Sequence, residues 1–168
     1  MKYNKKILKR PSRTKDYKIL KNEDFKTEKE VVNYIVDNIE YFCEHALGCD
    51  YDKHILEFRF DKNEKLHDNS LRVDIVVIDK QGRHYFIEVK LPRKQREAFR
   101  ECMTAIGQCL SYHYLARIND YNYEGVYLVT STHSNLAPLI IRDNNLPITY
   151  LYIDKQSIAE AIINNQDI

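Results

Sequence analysis

Two segments constrain this chain more than anything else in it: Arg72-Val73-Asp74-Ile75-Val76-Val77-Ile78 and His84-Tyr85-Phe86-Ile87-Glu88-Val89-Lys90. Both are rich in β-branched and aromatic residues and nearly apolar on both faces, so each reads as a strand inside a sheet that is covered on both sides. Gly82 lies between them and marks a turn. An ionisable side chain in such a strand costs several kcal/mol unless it is paired, metal-bound or solvated in a cleft. Asp74, Glu88 and Lys90 therefore need a reason to be there.

A hairpin centred on Gln81 pairs residues whose numbers sum to 162, so that Ile78 faces His84, Val76 faces Phe86 and Asp74 faces Glu88. Facing Cβ atoms in such a pair lie ~4.5 to 5.5 Å apart, close enough for two carboxylates to share a divalent ion. Strand alternation puts Lys90 on the same side and leaves Ile75, Val77, Ile87 and Val89 to pack on the other. A bulge would shift this pairing by one residue.

Around the hairpin the pattern predicts further elements. Thr27 is suited to cap a helix over 28–45, with Glu30 three positions on and Val31, Val32, Ile35, Ile39 and Phe42 at helical spacing. The pattern gives strands at His54 to Phe60, Leu71 to Ile78, His84 to Leu91, Gly125 to Thr130 and Ile148 to Ile153, a long helix over 94–117 and a closing helix over 155–165. This order implies an α/β domain with a mixed central sheet flanked by helices. At 168 residues one domain is expected, over 21–168, preceded by a basic arm over 1–20.

The net charge of +1 conceals that arm. Residues 1–18 hold eight Lys or Arg against one acid, and the remainder holds 18 against 24. Lys5, Lys6, Lys9 and Arg10 are its candidate contacts to a polyanion; the competing reading is a solvated tail. No apolar run approaches the ~20 residues of a membrane span, so no membrane partner is expected. The first residues lack a signal core, which points to the cytoplasm and makes Cys43, Cys49, Cys102 and Cys109 thiols by default. Their spacings lack the Cys-x-x-Cys pairs of structural zinc sites, and a mixed site from Cys43, His45, Cys49 and His54 is the weaker reading.

Two carboxylates and an ammonium on one sheet face suit phosphodiester hydrolysis. The acids hold Mg²⁺ or Mn²⁺, and the ammonium steadies developing negative charge. The alternative is a structural ion-pair set, with Lys90 and Arg72 neutralising Asp74 and Glu88.

Asp74, followed 14 residues later by Glu88-Val89-Lys90 and then by a helix, resembles the motif of the PD-(D/E)XK nucleases, with Val73 where the motif has its proline. Gln108 and Tyr112, one turn apart on the long helix, resemble the Gln-x-x-x-Tyr element of the RecB and lambda-exonuclease branch. The resemblance spans about 28–153 and implies a restriction-endonuclease-like αβββαβ core and Mg²⁺-dependent cleavage of DNA, with RNA as an alternative substrate. It also implies metal ligation by Asp74, Glu88 and the Val89 backbone carbonyl, a helix glutamate near the metal, and substrate contacts from Gln108 and Tyr112. Glu28, seven residues before Ile35, fits the helix glutamate better than Glu30; a plain first-turn acid is the alternative. Arg93, Lys94, Arg96 and Arg100 stand just past Lys90, as backbone contacts or as a solvated helix face. A homodimer is compatible with all of this. The rivals are a non-catalytic nucleic-acid-binding module on the same fold and a Ser or Cys hydrolase, for which the sequence offers no nucleophile motif.

Overall fold

The computed structural model describes residues 25–60, 71–92, 95–131 and 136–155, with the side chains of residues 95–99 outside that description. The basic arm and the closing helix lie outside it as well.

Thr27 caps α1 (Glu28–Asp37), its Oγ1 accepting the Glu30 N–H at 3.1 Å. Glu30 turns back to accept the Lys26 N–H at 2.7 Å, so its carboxylate is spent on the helix start. The expected single helix over 28–45 is interrupted. At Asn38 the backbone leaves helical geometry (φ −121°, ψ 30°) and the side-chain amide donates to the Tyr34 carbonyl, after which α2 (Ile39–Phe42) and a π-helical turn (Cys43–Leu47) follow. Asn competes for its own backbone in this way, and apolar periodicity alone does not reveal it.

Next come β1 (Tyr51–Phe58), β2 (Val73–Asp79) and β3 (His84–Lys90), the long α3 (Gln95–Ile118), β4 (Tyr123–Thr130), α4 (Leu136–Asp143) and β5 (Thr149–Tyr152). The five strands lie in sequence order, the first three antiparallel and the last two added in parallel. The protein is thus α/β, a mixed sheet flanked by helices. The β2–β3 register runs from Ile78 opposite His84 to Ile75 opposite Ile87, each pair summing to the expected 162. Gly82 turns the hairpin with φ +73°, a conformation costly for any residue with a Cβ.

Alternation divides the core. Val76, Ile78 and Phe86 face α3 and pack on Cys102, Ala105, Ile106, Cys109 and Ala116. Ile75, Val77, Tyr85, Ile87 and Val89 face α1 and α2, against Val31, Ile35 and Phe42. Both faces of β2 and β3 are covered, which is why their sequences read as near-continuous apolar runs. Helix α4 was not expected from the sequence; Pro138 sits in its first turn, where a missing N–H costs nothing.

Candidate active site

The interruptions in the two apolar strands fall at one end of the sheet, where β2 begins and β3 ends. Asp74 is partly buried, and its carboxylate accepts the Val89 N–H at 2.8 Å. A strand residue presents its N–H and C=O to the same neighbour, so the Val89 carbonyl faces that side too. Glu88, 1% exposed, has both oxygens occupied: Lys90 Nζ lies 2.8 Å from Oε1, and the Tyr112 hydroxyl lies 2.6 Å from Oε2.

Glu28, at the start of α1, reaches the same place from the opposite layer. Its Oε1 accepts the Leu91 N–H at 3.4 Å and its Oε2 is 3.8 Å from Lys90 Nζ. Glu28 therefore faces the site, and Glu30 does not. Glu28 and Lys90 line a cleft of about 370 Å³ with Arg100, Glu101 and Thr104 of α3. Asp74 and Glu88 do not line it; Lys90 stands between the cleft and Glu88.

The electrostatics follow from three acids sharing one lysine. Burial first, and then the Asp74 charge, push the Glu88 carboxyl up to about 7 against the opposing pull of Lys90 and Tyr112. Burial also raises Asp74, although the Val89 N–H and Lys90 oppose it. Burial works to lower Lys90, but Glu88 and the other acids outweigh it and hold the ammonium charged above its usual range.

Tyr112 is fully buried. Its hydroxyl also lies 2.7 Å from the Arg72 carbonyl, so one proton faces two acceptors. That proton is shared between the Glu88 carboxylate and the Arg72 carbonyl. Tyr112 thus meets Glu88 from behind and presents nothing to the cleft. Gln108, one turn earlier, is half-buried with an Oε1 that has no hydrogen-bond partner. Removing the hydroxyl in Tyr112→Phe is expected to destabilise the fold by about 1 kcal/mol or more, since the part-buried Arg72 carbonyl and the buried Glu88 carboxyl both lose its hydrogen bond. Thermal unfolding of the two proteins at one pH measures it.

Arg100 is exposed at the cleft, whereas Arg93, Lys94, the Arg96 side chain and Lys5, Lys6, Lys9 and Arg10 lie outside the described residues. The four cysteines are buried thiols. His45 stacks on Tyr41 and His54 bonds the Tyr51 hydroxyl, so neither ring is turned to a shared site with Cys43 and Cys49. Among the described residues no three His, Cys, Asp or Glu side chains form a ready-made metal cage. What the hairpin end offers is two carboxylates, each engaged by donors in this structure, and a backbone carbonyl, hard oxygens of the type that could ligate a divalent ion in their place.

Sequence reasoning missed a second buried acid at the far end of the same hairpin. Asp79 is 1% exposed and accepts from the Gln81 and Arg83 N–H groups, Arg83 Nε and the Tyr85 hydroxyl. Burial alone would raise it, but these donors prevail and hold it below the usual carboxylate range. An Asp three residues before a turn glycine was the available signal.

Comparison of the sequence with family models and with curated proteins finds no match. Among solved structures, a repair endonuclease from Pyrococcus abyssi is similar at TM-score 0.48 and 19% identity, over 79% of this chain and 49% of that one. A complex of EndoMS with double-stranded DNA is similar at TM-score 0.46 and 21% identity, over 85% and 51%. The chain spans about half the length of both. No helix among the described residues is long and apolar enough to cross a membrane.

Proposed function

We propose that this protein is a divalent-metal-dependent nuclease that hydrolyses phosphodiester bonds in DNA. The observation that carries the reading is the convergence of Asp74 and Glu88 at one end of a buried hairpin, with Lys90 as their shared cation and both carboxyls raised. A structural ion-pair set would resemble Asp79, whose donors outnumber its needs. Glu88 and Asp74 instead stay raised, burial outweighing the pull of Lys90 on both, a cost that a bound cation would relieve.

Asp74, Glu88 and the Val89 carbonyl would hold Mg²⁺ or Mn²⁺. When bound, the ion polarises the phosphate and makes water a stronger nucleophile. Asp74 is oriented by the Val89 N–H and Glu88 by Tyr112, so neither acid has to be positioned at the moment of reaction. Lys90, held charged between Glu88 and Glu28, faces the cleft and steadies the negative charge that grows on the phosphate. Tyr112, buried behind Glu88, acts as a positioning residue for that acid and not as the substrate contact of the RecB-like reading. Gln108→Ala is accordingly expected to slow cleavage less than loss of either acid.

The test is incubation of the full chain with linear, circular and branched DNA in Mg²⁺, in Mn²⁺ and in chelator, with single-stranded RNA in parallel. Metal-dependent cleavage of DNA is expected. Failure to cut any DNA with either ion overturns the reading, and cleavage of RNA alone would change the substrate.

A further inference from the structure

The strand that borders the site has a register shift at its start, between Tyr51 and Lys53, and a second irregularity beside Asp74. The β1–β2 ladder pairs Leu56 with Ile75 and Phe58 with Val73, which leaves Glu57 opposite Asp74. Glu57 has φ +50°, a left-handed conformation that non-glycine residues rarely adopt and that tends to be kept at functional sites. Its carboxylate leaves the strand to meet Arg72, Nη1 to Oε2 at 3.1 Å, with both side chains well exposed at 48% and 69%.

Arg72 immediately precedes β2, two residues before Asp74. Its backbone is anchored, because its carbonyl is the one that Tyr112 holds. Among the described residues its side chain meets Glu57 through a single nitrogen, and a guanidinium has five N–H donors in a fork matched to phosphate. An exposed ion pair of this kind contributes little and yields readily to a stronger anion. The charge of Arg72 already acts on Asp74.

We infer that Arg72 is a phosphate-binding residue of this site, holding the nucleic-acid backbone on the β1 side of Asp74, and that Glu57 is its resident competitor. The inference rests on the nuclease reading and extends it to the substrate path. Arg100 lines the cleft with Lys90, and the charge of Arg72 acts on Asp74, so both cations lie by the end of the hairpin that carries the carboxylates. Glu57 occupies the guanidinium in the free protein and gives it up to the polyanion. Binding therefore includes the cost of that exchange, and a protein without the Glu57 charge binds more tightly.

The experiment measures binding of a short fluorescein-labelled DNA duplex by anisotropy, with Ca²⁺ in place of Mg²⁺ to prevent cutting, across a salt series. The variants are Arg72→Gln, Glu57→Gln, the double variant and Arg142→Gln. Because Tyr112 bonds the Arg72 backbone, replacing the side chain leaves that anchor in place. Arg142→Gln is the control, since Arg142 is likewise an exposed cation paired to a neighbouring acid, but on α4. Arg72→Gln is expected to weaken binding and to reduce the log–log salt slope by about 0.9, the share of one phosphate contact. Glu57→Gln is expected to tighten binding, and to lose most of that effect when Arg72 is already Gln. Unchanged affinity and slope in Arg72→Gln, or an equal loss in Arg142→Gln, overturns the inference while leaving the nuclease reading intact. A wild-type protein that binds no DNA overturns both.

Discussion

Replacing Asp74 with Asn or Glu88 with Gln is expected to lower metal-dependent DNA cleavage by about a thousandfold or more, while the fold survives. The isosteric changes are chosen because each acid also serves the backbone or its neighbours. Asn at 74 retains an acceptor for the Val89 N–H, and Gln at 88 still fills the space between Lys90 and Tyr112. What each variant loses is a negative charge where an ion would bind. Initial cleavage rates, alongside calorimetric titration with Mn²⁺, check this; near wild-type turnover in either variant would remove that acid from the site. Lys90→Ala separates the roles further, because loss of turnover with metal affinity retained is the outcome for a residue that acts on the phosphate.

The metal-free protein is expected to lose stability as pH rises from about 4.5 to about 7, and Glu88→Gln is expected to abolish most of that loss. In the fold Glu88 keeps its proton up to about 7, whereas the unfolded chain releases it near the ordinary 4.5. Within that window the unfolded state binds fewer protons, so unfolding becomes easier with each pH increment. At 1.36 kcal/mol per pH unit the full effect is about 3 kcal/mol. A divalent ion reverses it by replacing the missing charge, so added Mg²⁺ should raise the melting temperature more at pH 8 than at pH 5. Flat stability across the window in chelator would show that Glu88 ionises without penalty.

The hairpin was legible because its information is local. Strand composition, the glycine turn and a two-residue period determine a register, and the Ile78–His84 to Ile75–Ile87 pairs follow it without slip. Continued by one residue, the same register places Asp74 toward Glu88. Which glutamate of α1 faces them was only half legible: helical phase favoured Glu28, but the commitment of Glu30 to the Lys26 N–H shows only in three dimensions. Three features escaped the sequence for distinct reasons. The break at Asn38 depends on one side-chain amide against a continuous apolar period. The start of β1 was placed late because an edge strand exposes residues on both faces, Ile55 and Leu56 among them, and so lacks alternation. The fate of Tyr112 could not be read at all. Its spacing from Gln108 suggested a pair at the substrate, and the packing of α3 turned it instead toward Glu88 and the Arg72 backbone.

That last placement imposes an order of assembly. The hairpin closes over a few residues, so both acids come together early and cheaply. Tyr112 meets Arg72 across 40 residues and Glu88 across 24, contacts that exist only after the 24-residue crossover of α3 has docked. Before docking, Glu88 is open to water, and its acidity and hold on a cation are those of any solvated carboxylate. The perturbed carboxyl is therefore conferred by a longer-range contact than the hairpin that carries it. A chain still emerging from the ribosome presents β2 and β3 before α3, and so carries both acids before the surroundings that perturb them.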